Sequence, residues 1–90
     1  MRTLEIQNEA IPILKSSLSF EKKLLEYNYK KFSRQLKSFE KKFDMTTNQF
    51  IKAFNDGSLG DDENWFDWLF ASKSQSHIKN KLDIINTIEV

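Results

Sequence analysis

Between Gly60 and Phe70 the chain reads GDDENWFDWLF, with four carboxylates and four large aromatic rings in eleven positions. Asp56 lies upstream and His77, the only histidine, lies downstream. This is the one stretch dense enough in functional groups for metal or acid–base chemistry. A calcium loop needs oxygen ligands at alternate positions, a central Gly and a closing Glu. The run from Asp56 to Glu63, D-G-S-L-G-D-D-E, does not match. A general acid–base pair must converge on one substrate, and on a helix Asp67 points away from the side that carries Trp65 and Phe66. These carboxylates therefore read as helix caps and solvated charge. His77 has no Cys and no second His near it, so a zinc site would have to borrow its ligands. Nothing in the spacing ties it to a particular Ser nucleophile. Gly57 and Gly60 are the only glycines, too few for a phosphate-cradling loop. The expectation is no catalytic residue, no metal ligand and no cofactor, hence not an enzyme.

Two other groups of residues suit binding. Between Leu14 and Phe43 nine bases stand against three acids (Glu21, Glu26, Glu40), a balance of +6. From Asp56 to Phe70 there are five acids and no base, a balance of −5. Such a two-ended charge distribution steers association and does not choose a fold. Lys30, Lys31 and Arg34 are the candidate phosphate contacts, although the cations distribute around an apolar seam and form no single stripe in this reading. No helix-turn-helix pattern or aromatic RNA-binding motif accompanies them. The rings of Trp65, Phe66, Trp68 and Phe70 each carry ~150–250 Å² to hide. A thin fold has little mass for that, so at least one of them is expected in an intermolecular contact.

The elements that must position these groups are helical. Ninety residues make one small domain, marginal unless idealised, stapled or oligomeric. There is no cysteine to staple it. Gly and Pro total three and charged residues reach 30%, a composition that favours helix. The first thirty residues hold no apolar block of signal-peptide length, and no segment approaches the ~20 apolar residues of a membrane span. The expectation is a cytoplasmic protein without membrane contact.

Residues 1–11 read as a loose tail in which Thr3-Leu4-Glu5-Ile6 alternates like a strand with nothing to pair with. Pro12 suits the first turn of a helix. Leu25, Tyr29, Phe32, Leu36, Phe39 and Phe43 follow at 4-3-4-3-4 spacing, a coiled-coil seam on a first helix over about 12–43. Thr46 and Gln49 match a capping box, with Met45 and Phe50 as its hydrophobic staple. They open a second helix over 47–55, and Gly57 offers its left-handed cap. Asp61 or Asp62 can cap a third helix over 62–88. On it Trp65, Phe66, Leu69 and Phe70 share one side. Trp68, Ala71, Ile78, Leu82 and Ile85 form a second stripe, the natural mate for the first helix. Ala71–His77 is serine-rich and a weak helix former, so a break there is an open alternative. The fold class is all-α: an antiparallel helical hairpin of two long helices with a short bridging helix, residues 12–90 forming the single domain.

The run KKFDMTTNQFIKAFNDGSLGDDENWFDWLFA, Lys41 to Ala71, resembles a set of small prokaryotic proteins. Their pattern is a long charged helix, then K-F-x-M-[ST]-x-x-x-F-x-x-x-F-x-x-G-x-L-G-D-D, then an aromatic–acidic–Trp run and a helical tail. They are associated with genes beside small toxin-like proteins, as antitoxins or antitoxin-like accessory proteins. The likeness covers about a third of the chain, and the capped turn through Leu59-Gly60-Asp61-Asp62 is its most specific part. The serine-rich segment after Ala71 departs from the pattern. The resemblance implies a protein-binding role and carries over no functional residue.

The leading expectation is an antitoxin-like module that neutralises a small toxin. Trp65, Phe66, Trp68 and Phe70 would anchor the partner, and Asp61, Asp62 and Asp67 would steer it. The alternative is a self-assembling homodimer paired through the Leu25–Phe43 seam. A second alternative is nucleic-acid binding through the basic first helix.

Overall fold

A computed structural model of the chain describes residues 8–88. α1 spans Ala10–Phe43, α2 Thr47–Asn55 and α3 Glu63–Asn86. Among the described residues there is no strand. α1 and α3 run antiparallel, since Phe43 meets Trp65, Phe39 meets Trp68 and Ser33 meets Gln75 in order along the pair. With 34 residues α1 is about 51 Å long, and the molecule measures 56 × 29 × 18 Å. The expected hairpin with a bridging helix is the observed architecture.

α1 and α3 differ at their ends from the sequence reading, α3 covering Glu63–Asn86 in place of 62–88. α1 begins at Ala10, so Ala10 and Ile11 belong to the helix and not to a tail. Pro12 sits at the third helical position, still among the four whose N–H groups lack an intrahelical acceptor, so its missing donor costs no bond. The strand-like Thr3–Ile6 lies outside the described residues. The serine-rich segment of α3 does not break: the helix runs unbroken through Ala71–His77. Low propensity costs a few tenths of a kcal/mol per serine. Packing on α1 outweighs it, because Ala71 and Ile78 are buried there and Gln75 Nε2 donates to Ser33 Oγ at 2.7 Å.

The turns follow from local chemistry. α1 ends where Asp44 takes a left-handed conformation, φ 52°, tolerable for a short polar side chain. Thr46 then caps α2: its Oγ1 accepts from Gln49 N at 3.1 Å while Gln49 Oε1 accepts from Thr46 N at 2.9 Å. Gly57, at φ 74°, provides the expected left-handed exit, and its N–H donates to the Phe54 carbonyl. Of the two candidate caps for α3, Asp62 is the one used, its Oδ1 accepting from Asn64 N at 2.8 Å.

The core is concentrated at the joined end of the hairpin. Leu36, Phe50, Trp65, Trp68 and Ala71 form its buried centre, with Phe39, Phe43 and Met45 packed against it. Further along, Leu25 and Ile78 are buried, and near the open end Leu18, Leu82 and Ile85 are half-buried. Phe50 has no exposed area and belongs to a helix of only nine residues. Phe50→Ala is expected to remove ~3–5 kcal/mol, a large share of a small domain's stability. Urea unfolding checks this, and a loss below 1 kcal/mol (about the noise of that comparison) would show that α2 contributes little.

Candidate functional site

The joined end gathers the groups that the sequence singled out, but it divides them. Trp68 is fully buried and Trp65 is 9% exposed. The Trp68 ring stacks on Phe50 at 4.1 Å and 4° between planes, with Phe39 and Phe43 near-parallel at 5.5 and 5.8 Å. Its Nε1–H donates to Thr47 Oγ1 at 3.1 Å. Trp65 Nε1–H donates to the Leu59 carbonyl at 3.1 Å, and its ring tilts over Phe43 at 4.7 Å. Neither tryptophan is available as a partner anchor. The expectation that this fold lacks the mass to hide them fails because α2 folds back as a lid and supplies rings of its own.

Behind Trp68 lies a short polar relay. Thr47 Oγ1–H donates to Glu40 Oε2 at 3.0 Å, and Thr47 N–H donates to the same oxygen at 2.7 Å. Glu40 thereby fixes the first turn of α2, where a carboxylate also meets the positive end of the helix dipole. The sequence reading missed both residues. The available signal was an acid in the last turn of α1, where the dipole disfavours it, four residues beyond the buried Leu36 and three before Phe43.

What remains outside is Phe66 and Phe70, 55% and 66% exposed and one helical turn apart. Each leans on the core only by an edge: Phe66 on Phe54 at 5.9 Å and 85°, Phe70 on Phe32 at 6.2 Å and 73°. Each stands at the lip of a groove. One groove runs past Phe70 and Asp67 to Phe32, Phe39 and Lys31; the other runs past Phe66 and Asp61 to Phe54 and Leu59. Asp61, Asp62, Glu63 and Asp67 are all exposed around the two rings. Among the described residues no three His, Asp or Glu side chains gather as a metal would require. His77 is exposed in a groove with Phe54, Leu69 and Lys73 that no carboxylate lines.

The other expected sites are also redistributed. Leu25 and Leu36 are buried, and Tyr29, Phe32, Phe39 and Phe43 are half-buried. α3 occupies this seam within the chain, so it is not free to pair two copies. Lys30, Lys31 and Arg34 are exposed, with Lys31 Nζ 5.8 Å above the Phe32 ring. Lys15, Lys22, Lys31 and Lys42 lie apart, but the other five cations of α1 do align. Lys23, Lys30, Arg34, Lys37 and Lys41, all exposed, follow at intervals of 7, 4, 3 and 4 on one continuous helix. At ~100° per residue they share an arc of ~60°.

No helix of the described residues is long and apolar enough to cross a membrane. Comparison with protein families, curated proteins and solved structures found no match, so the site is read from its own geometry.

The relay has a measurable consequence. Thr47→Val leaves the buried Trp68 Nε1–H without an acceptor and should cost ~1–3 kcal/mol. Thr47→Ser keeps the hydroxyl and should cost clearly less. Equal unfolding midpoints for the two variants would show that the relay contributes nothing.

Proposed function

We propose that the chain is a non-enzymatic protein-binding module, antitoxin-like, whose joined end captures and neutralises a small basic partner protein in the cytoplasm. The observation that carries this reading is the pair Phe66 and Phe70, solvent-facing with Asp61 in the groove of one and Asp67 in the groove of the other, while the larger tryptophans beside them are buried. Aromatic side chains that stay outside a well-packed core are apt contact anchors. The carboxylates around them raise the encounter rate with a basic surface and disfavour acidic competitors. The buried cluster below holds the helix rigidly, so less side-chain entropy is lost when the rings are covered. The resemblance of Lys41–Ala71 to antitoxin-like proteins supports a small toxin as the partner class.

The purified chain mixed with the small protein encoded beside it should elute as one complex. Phe66→Ser combined with Phe70→Ser should weaken that complex at least ~10-fold, with far-UV circular dichroism unchanged. Asn at Asp61, Asp62 and Asp67 should slow association and flatten its salt dependence. Absence of a complex, or one indifferent to the double substitution, would reject this site.

One observation favours a second reading. The Lys23–Lys41 stripe extends over 18 residues, about 27 Å of helix, enough to follow phosphates. If all five cations engage duplex DNA, the logarithm of affinity should fall against that of salt with a slope of about −4 to −5. Binding that survives charge reversal at Lys30, Arg34 and Lys37 rules the stripe out.

A further inference from the structure

The outward side of α1 carries a second apolar track that none of the described residues covers. Ile13, Phe20, Leu24 and Tyr27 are 68, 69, 46 and 63% exposed. They follow at intervals of 7, 4 and 3, so at ~100° per residue they lie within ~60° of one another, far round the helix from the seam packed on α3. Single exposed apolar residues are ordinary. Four in heptad register on one helix are the sequence of a coiled-coil contact. The next two positions of the same track are Lys31 and Arg34, so the strip is apolar in the first half of α1 and cationic in the second.

We infer that this track joins two copies of the chain, their α1 helices antiparallel about a two-fold axis at the level of Lys22. The charge pattern selects the direction. A parallel pair would set Lys30, Lys31 and Arg34 against themselves. The antiparallel pair carries the two cationic halves to opposite ends, with the Arg34 positions ~36 Å apart along the axis, several screening lengths at physiological salt. In that register Leu24 faces the partner's Phe20, and Tyr27 faces the partner's small Ser17. Ile13 meets the alkyl stem of the partner's Lys31. Glu9, exposed on the same strip, falls beside the partner's Lys31 and Arg34.

The width of the track points to a helix as its cover and not a lipid surface. A helix lying on an apolar phase shows a stripe of ~100° or more, whereas a strict heptad seam is narrower. The apolar half is also electrically neutral, with Lys15, Lys22 and Lys23 against Glu9, Glu21 and Glu26, so nothing in it draws an anionic membrane. The area reaches the lower threshold: ~100 Å² from each of the four side chains gives ~800 Å² over two copies, and flanking residues bring it to the ~1,000–1,200 Å² at the low end of biological interfaces. The contact is isologous, so it closes at two copies and does not grow. It touches the Phe70 groove only at Lys31, and its failure would leave the partner-binding reading untouched.

Sedimentation equilibrium of the full chain, from low micromolar to a tenth of a millimolar, should return the dimer mass. Phe20→Lys with Leu24→Lys should return the monomer with its helical dichroism intact, because neither side chain belongs to the core. The chain has no cysteine of its own, so orientation can be read directly. Lys23→Cys, near the axis, should cross-link to itself through a short bis-maleimide, and Arg34→Cys should not. A wild-type monomer throughout this range overturns the inference, as does a dimer that survives the double substitution or cross-links at 34 and not at 23. A monomer that pellets with phosphatidylserine vesicles assigns the track to lipid and overturns it equally.

Discussion

The indole of Trp68 lies flat on Phe50, 4.1 Å away, and gives its N–H to Thr47, which hands its own hydroxyl proton to Glu40. Each helix contributes to this cluster: α3 the indole, α2 the ring beneath it and the threonine, α1 the carboxylate with Phe39 and Phe43. The apolar stack and the polar relay constrain each other. The stack removes the indole from water, so its N–H must find an acceptor inside. The hydroxyl that accepts it sits on the first turn of α2, where the carboxylate of Glu40 holds it. The angle at which α2 returns is thereby fixed, and with it the lid over both tryptophans.

That concentration of apolar mass sets the character of the surfaces. A hairpin of two long helices has a narrow interface to fill, and here the bulky rings fill one end of it. Phe66 and Phe70 are left outside because the positions that could shelter them are occupied by their larger neighbours. At the other end the interface is filled by Leu18, Leu82 and Ile85, none of them fully buried. Among the described residues, the outward apolar side chains of α1 then have no second layer over them. A chain this size cannot bury every apolar side chain it carries; besides Ile84 and Ile88 near the end of α3, the exposed ones include one patch with acids beside it and one continuing into cations.

Much of this was readable in advance. The heptad spacing from Leu25 to Phe43 located the side of α1 that α3 covers. Thr46-x-x-Gln49 and Gly57 bounded α2 to the residue, since capping is local chemistry and needs no tertiary knowledge. The stripe Trp68, Ala71, Ile78 gave the mating side of α3. Periodicity failed at the aromatic cluster, because it assigns a side chain to a direction and is silent on what stands there. Whether Trp65 is core or anchor depended on α2 folding back, which in turn depended on Glu40 and Thr47 meeting seven residues apart across a turn. The serines of α3 left a break open for the opposite reason: weak propensity was visible, and the tertiary contacts that outweigh it were not. Ile13, Phe20, Leu24 and Tyr27 were legible as a spacing and were overlooked because a stronger seam shared their helix.

Both tryptophans of the chain sit in one cluster, their ring centroids 6.3 Å apart. Tryptophan emission, excited selectively over Tyr27 and Tyr29, is therefore a probe of that cluster alone, while amide absorption samples all three helices. Loosening of the distal turns, where side chains are only half sheltered, would pass unseen in fluorescence and register in ellipticity. Two optical signals thus divide this small domain into its firm and its loose half without any label, and a gap between their melting curves would measure how far the halves come apart before the whole.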